Sequence, residues 1–419
     1  MSKILFFIIF TMTLLIVIFT QFWQHHVSVK CLDNIDCINI DSEKPIKIGV
    51  IQSLTGGTSS FGIEQLRGVE LAAAARNNRL LGHQIKLYVE NDLCSLEGGI
   101  NAALKISTIP DMTAIIGTTC SDSAAAASPI ISEAGLVMIS GSNIAPSLTS
   151  IKGKSGIHHY PGYYRTVYNG ALIGQTAADF AVYELGITRA ATIDDTGEYT
   201  RGLTDSFKQA FQSSQGRQIV FSGSVHKGDT DMFPILNAVK NSGAEFVFFP
   251  VYYPEGSLII SHASRMPDLK NVQFMSANAL ITESFINHTG SSGIGVYFAS
   301  SASPKTKAHE NLSDLYEKKY GSKPVTSNIS YAYDAASLLF YAVEKASVKK
   351  IDGSLVIGKN AVRQALNSIK NFKGVTGSIS CDQYGDCGTA SINILRLDNP
   401  EAGIKGLVSN IIKTYSVKQ

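Results

Sequence analysis

Six cysteines carry the most restrictive chemistry in this 419-residue chain. They fall as Cys31/Cys37, Cys94/Cys120 and Cys381/Cys387. The first and last are close local pairs. The middle one joins the ends of two segments that read as neighbouring strands, Ile85–Glu90 and Ala114–Gly117. An even number of cysteines, with no CxxC and no histidines at zinc spacing, points to disulfides and away from a metal site. Disulfides persist in oxidising compartments, so the body of the protein is expected outside the cytoplasm.

Polar groups at the ends of apolar runs form a second reactive set. Gly117-Thr118-Thr119-Cys120-Ser121-Asp122-Ser123 closes one run and opens a helix. Backbone N–H groups and hydroxyls there suit a carboxylate, and plain N-capping by Ser121, Asp122 or Ser123 suits the same residues. Ile139-Ser140-Gly141-Ser142-Asn143-Ile144-Ala145-Pro146 repeats the pattern, or is an ordinary turn.

Enzymatic readings fall away one by one. Asp195-Thr196-Gly197 has the form of an aspartic-protease triplet, but that chemistry needs two carboxylates sharing a proton, and no second triplet exists. Gly153-Lys154-Ser155 lacks the earlier glycine of a phosphate loop. The adjacent pairs His25-His26 and His158-His159 do not face one metal as i, i+4 pairs can. No serine sits in a G-x-S-x-G elbow. Sequons at Asn287, Asn311 and Asn328 bear only on a eukaryotic secretory route. Neither cofactor nor metal is expected, and the chain does not read as an enzyme.

These residues need elements to position them. At the N-terminus, Lys3 precedes an unbroken apolar run, Ile4–Phe19, followed by Thr20, Gln21, Phe22 and Trp23. At ~1.5 Å per residue the stretch covers about 25 Å, near the lower limit of a bilayer span. No small-x-small cleavage site follows, so residues 1–23 read as a membrane anchor in preference to a signal peptide. Residues 24–44 read as a polar tether closed by Cys31/Cys37, with the folded body starting at Pro45.

The body alternates short apolar runs with helical segments. Ile46–Ile51, Ile85–Glu90, Ala114–Gly117 and Val137–Ser140 are strands; Gln65–Arg76, Gly98–Ser107 and Ser123–Glu133 are the helices between them. After Tyr163–Arg165 a second series starts, with helices near Gly170–Glu184 and Arg201–Ser213 and a strand through Phe246-Val247-Phe248-Phe249, which is apolar on both faces. Two such series give an α/β fold of two doubly wound parallel-sheet lobes, with a small-molecule site where the strands end, in the cleft between them. A net charge of +2, with 17% charged residues and no basic run interleaved with aromatics, excludes nucleic acid as the expected partner.

The order of local signatures is specific. Ile48-Gly49-Val50-Ile51-Gln52-Ser53-Leu54-Thr55-Gly56, Phe61-Gly62, Gly68-Val69-Glu70-Leu71-Ala72, Gly135-Leu136-Val137-Met138-Ile139-Ser140, Ala145-Pro146-Ser147-Leu148-Thr149, Tyr163-Tyr164-Arg165-Thr166 and Tyr331-Ala332-Tyr333-Asp334-Ala335 together resemble the type I periplasmic binding proteins. Within that family the likeness is to the branched-chain amino-acid (leucine/isoleucine/valine) binding proteins of ABC importers, from about Ile46 to about Ile394. The resemblance implies two lobes joined by three crossing strands that close like a flytrap: lobe 1 over 45–166 with 299–375, lobe 2 over 167–298 with 376–419. It also supports the Cys94–Cys120 pairing.

It further implies a ligand site. Ser121 and Ser142 match positions that bind an α-carboxylate, Phe61 an aromatic wall, and Tyr199 and Tyr252 aromatics that close over the ligand. Asn278 falls where the family carries an acid gripping the ammonium, and Ile144 replaces a hydroxyl residue. Asp122 adds a carboxylate beside the anion-binding turn, which either caps a helix facing away or takes over the ammonium. The implied function is an extracytoplasmic solute-binding protein, monomeric, delivering an amino acid or related small polar solute to a membrane permease. The alternative is a ligand-sensing ectodomain that signals through a partner membrane protein.

Overall fold

The structure, a computed structural model, describes residues 36–416 except Val325. The expected membrane segment, most of the tether and Cys31 therefore lie outside the described residues. Among the described residues, no helix is long and apolar enough to cross a membrane.

The first lobe is a six-stranded sheet. Its parallel strands are β1 (Ile46–Gln52), β2 (His83–Asn91), β3 (Met112–Gly117), β4 (Met138–Ser140) and β5 (Tyr163–Arg165), in the order β2-β1-β3-β4-β5. Arg79–Leu80 adds an antiparallel edge on β2. Helix α1 (Ser59–Ala74) covers one face, and α2 (Leu96–Ser107) and α3 (Ser121–Glu133) the other. Ile46, Ile48 and Val50 point into the α1 side while Ile51 and Ile115 point into the other, the alternation a two-sided strand requires.

The second lobe follows the same logic. Helix α4 (Ala171–Tyr183) leads to β6 (Arg189–Asp194), α5 (Glu198–Ser213), β7 (Gln218–Ser224), α6 (Phe233–Ser242), β8 (Phe246–Phe248), α7 (Glu255–Ala263), β9 (Gln273–Ala277), α8 (Glu283–Thr289) and β10 (Tyr297–Ser301). Phe246 and Phe248 pack against Phe207 of α5, with ring centroids 5.7 and 5.0 Å apart, while Val247 enters the opposite core with Val239 and Ile259. The chain then returns to the first lobe as α9 (Lys307–Tyr320), α10 (Asn328–Lys345) and α11 (Lys359–Asn367), with α10 packed along α1. Finally β11 (Ile392–Arg396), α12 (Gly403–Ser409) and β12 (Ile411–Tyr415) complete a seven-stranded sheet, β7-β6-β8-β9-β10-β11-β12, whose last two strands are antiparallel.

Three expected boundaries shift, one of them slightly: residues 299–301, expected in lobe 1, finish β10 within the second lobe's sheet. Cys37–Ile40, placed in the tether, is a strand paired with Leu355–Gly358, and Ile38 and Ile40 are buried in the first core. The folded body thus begins before Pro45; a four-residue strand whose partner lies more than three hundred residues away gives no local periodicity to read. The return to the second lobe comes after Cys387 and not at residue 376, because Ile379, Cys381 and Cys387 pack in the first core and Ile392 is the first residue in the second. Disulfides close Cys94–Cys120 and Cys381–Cys387, and Cys37 is also disulfide-bonded.

Two of the connections between lobes are tied together by a buried ion pair. Arg165, fully buried where β5 leaves the first lobe, donates through Nε to Asp386 at 2.5 Å, through Nη1 to the carbonyls of Asn143 (3.1 Å) and Ala145 (2.8 Å), and through Nη2 to Thr149. Asp386 also accepts from Thr149, Ser150 and Asn169. Burial by itself would raise the Asp386 carboxyl, but the Arg165 charge and these donors hold it below the usual carboxylate range. The Cys381–Cys387 loop presents Asp386 to this cluster.

Breaking such a pair strands a charge, which costs about 3–5 kcal/mol. The short disulfide loop is worth about 2 kcal/mol in chain entropy. Asp386→Ala is therefore expected to lower urea-unfolding stability more than the Cys381→Ser/Cys387→Ser double variant; the reverse order would show that the loop, and not the pair, holds the crossings.

Candidate ligand-binding site

At the carboxyl end of β3, Gly117 has φ +149°, and a Cβ there would lie 2.3 Å from the Ile51 carbonyl oxygen, so only glycine lets the chain turn here. The turn carries Thr118 and Thr119 into α3. Thr119 donates its N–H to Asp92 at 3.0 Å and its hydroxyl to Gln52 at 2.7 Å, which fixes the turn against β1 and β2. Cys120 precedes α3 without a side-chain cap, leaving the first amides of a thirteen-residue helix for another acceptor. The Ser121 hydroxyl accepts from the Ala145 N–H at 3.2 Å, so its proton is free to be donated. The Ser142 hydroxyl donates to the Thr119 carbonyl at 2.9 Å.

The second lobe brings two tyrosines opposite this turn. Tyr199, in the first turn of α5, and Tyr252, after β8, pack with ring centroids 5.1 Å apart at 46°. Burial pushes both phenols well above their ordinary range, so both stay neutral hydroxyls near neutral pH. Tyr199 donates to Asn278 Oδ1 at 3.1 Å. Among the described residues no hydrogen bond is made by the Tyr252 hydroxyl, and Tyr252 lines the same cavity as Tyr199. Phe61, Ser121, Ser142, Ile144, Tyr199, Tyr252 and Asn278 all line one cavity of about 50 Å³, together with Thr58, Thr119, Cys120, Ala279 and Asn328. At roughly 10–15 Å³ for each water it could hold, the cavity suits a compact solute.

The seven residues expected at the site are thus brought together. Thr58, Ala279 and Asn328 were not anticipated there. Asn328 was visible only as a sequon, and nothing local marks the first residue of α10 as facing the cleft. Thr119 and Cys120 lie within the turn already picked out.

Asp122 resolves into the first of its two readings, with a difference. It does not line the cavity; its Oδ1 accepts the Glu198 N–H at 2.8 Å, so a first-lobe carboxylate caps the second lobe's α5. Burial, opposed by that N–H and reinforced by the Glu198 carboxylate, raises the Asp122 carboxyl above its ordinary value. The Glu198 side chain is held in turn by first-lobe groups, the Ser147 hydroxyl at 2.7 Å and His158 Nε2 at 3.2 Å. The cap explains why α5 starts at Glu198 and not at the expected Arg201. Asp195 accepts from Gly197 N–H and the Thr200 hydroxyl, the turn role foreseen for that triplet. Among the described residues no group of three or more His, Cys, Asp or Glu could hold a metal ion.

Comparison with known proteins agrees with this geometry. A family model described as periplasmic binding protein matches residues 45–400. The chain is 27% identical over 361 residues to the Leu/Ile/Val-binding protein homolog 3 of Brucella melitensis, covering 84% of this chain and 92% of that one. It is 26% identical to the Leu/Ile/Val/Thr-binding protein of Salmonella typhimurium, covering 81% and 88%. Among solved structures, a leucine binding protein of Thermotoga maritima superimposes with TM-score 0.73 at 24% identity, covering 85% of this chain and 96% of that one. A solute binding protein of an ABC transporter from Rhodopseudomonas palustris, in complex with p-hydroxybenzoic acid, gives TM-score 0.74 at 20% identity, covering 90% and 98%. The chain belongs to the periplasmic binding protein family, among the type I proteins related to the branched-chain amino-acid binders. Members of this family are solute-binding proteins and not enzymes.

Removing an N-cap acceptor costs about 1 kcal/mol, roughly fivefold in an equilibrium. Asp122→Ala is expected to leave the fold intact and raise the open population several-fold, read as a larger radius of gyration in small-angle scattering. An unchanged radius would mean that this contact does not hold the lobes together.

Proposed function

We propose that this chain is the extracytoplasmic solute-binding component of an ABC-type importer. It captures a small carboxylate-bearing solute between its lobes and presents it to a membrane permease. The observation that supports this most is the convergence of first-lobe hydroxyls and helix amides with second-lobe tyrosines on one cavity. The α3 N-terminus with Ser121 receives the carboxylate, while Ser142, whose hydroxyl donates to the Thr119 carbonyl, holds that turn in place; Phe61, Ile144, Tyr199 and Tyr252 enclose the apolar part. Binding energy is spent on the closed arrangement and not on a reaction, so the site needs no nucleophile. Branched-chain amino acids are the ligands named for the curated relatives, and an aromatic acid the ligand of the Rhodopseudomonas structure. Both classes carry the carboxylate this reading requires. The disulfides fit an oxidising compartment, and the alternative role in sensing uses the same closure.

A thermal-shift screen over small carboxylates and amino acids identifies the ligand, since a solute at a hundred times its Kd adds about 2.7 kcal/mol to stability. Tyr199→Ala and Ser121→Ala are each expected to abolish the shift given by the best compound. Full retention by both would place the ligand elsewhere. Cellular uptake of that compound is expected to fall when the chain is deleted; unchanged uptake would favour sensing over transport.

A further inference from the structure

The hydrogen-bond pattern around Asn278 restricts what can face it. Among the described residues the Tyr199 hydroxyl donates to Asn278 Oδ1, at 3.1 Å. A hydroxyl donating to that atom sets the amide with Oδ1 turned to Tyr199, and the Nδ2 hydrogens, which have no partner among the described residues, are offered to the cavity. The second lobe therefore presents a donor where an ammonium would need an acceptor.

Among the described residues no Asp or Glu lines the cavity to supply a countercharge. The three carboxylates whose charge reaches Tyr252, those of Asp92, Asp122 and Asp195, are each already engaged. Asp92 holds the N–H groups of Cys94 and Thr119, Asp122 that of Glu198, and Asp195 that of Gly197 with the Thr200 hydroxyl. An ammonium here would leave water for neutral amides and hydroxyls, whose hydrogen bonds are about half as strong as charge-assisted ones. A hydroxyl or keto oxygen in its place takes the Asn278 hydrogens directly.

Resting on the reading of this cleft as a carboxylate site, we infer that its ligands are monocarboxylates bearing a hydrogen-bond acceptor, such as a 2-hydroxyl or 2-keto oxygen, in place of the α-ammonium. Asn278, oriented by Tyr199, is the residue that sets this preference.

The test is isothermal titration of the full-length protein with matched pairs that differ only at that position: leucine against 2-hydroxyisocaproate and 2-oxoisocaproate, and valine against 2-hydroxyisovalerate and 2-oxoisovalerate. At least one hydroxy or keto acid is expected to bind ten or more times more tightly than its amino acid. Asn278→Asp is expected to reverse that order, weakening the keto acid and strengthening the amino acid. Tighter binding of leucine or valine by the native protein, lost in Ser121→Ala, would overturn the inference while leaving the carboxylate cleft standing. Failure of all six compounds and of benzoate and 4-hydroxybenzoate to bind would overturn both. Native preference for the hydroxy or keto acid that persists in Asn278→Asp would remove Asn278 from the explanation and overturn its assigned role.

Discussion

One buried guanidinium organises both the hinge and the cleft. Arg165 lies where the chain first leaves the first lobe, and its partner Asp386 lies in the disulfide loop just before the chain leaves it for the last time. Three further hydrogens of Arg165 go to the carbonyls on either side of Ile144 and to Thr149. A single desolvated charge thus ties two interlobe connections to the loop that carries Ser142 and Ile144. Such a charge tolerates little displacement, because any move that opens its hydrogen bonds exposes a large desolvation cost. The lobe closure proposed above would therefore turn around this cluster and not through it.

Across the cleft the contacts are of a different kind. The Asp122–Glu198 hydrogen bond, with Ser147 and His158 on the Glu198 side chain, joins the lobes at the rim. Each of these contacts is partly solvated and modest in strength, so water can replace it when the lobes part. Strong bonds at the hinge and weak ones at the mouth suit a protein that must both hold a solute and release it. The same division separates the packed Tyr199–Tyr252 pair, which belongs to the second lobe, from the hydroxyl-bearing turn, which belongs to the first.

Much of this was legible in the residues. Apolar runs such as Phe246–Phe248 marked strands covered on both faces, and the ordered signatures from Ile48 to Tyr333 carried the family and, through it, seven residues that share the cavity. What escaped was set by distant partners. The strand Cys37–Ile40 depends on Leu355–Gly358, the start of α5 on a carboxylate from the other lobe, and the place of Asn328 on how α10 packs along α1. The amide orientation of Asn278 was hidden for the same reason, since it follows from the bond it receives from Tyr199 on another element. Local propensity records none of these, because each is a property of two segments meeting.

The account stands on capture of a solute by approach of the two lobes. Pulsed electron resonance between spin labels on exposed sites of the first and second lobes measures this directly, with and without the carboxylate that best stabilises the protein. A single shorter distance in the presence of that compound is the predicted result. An unaltered distance distribution at saturating compound would contradict it.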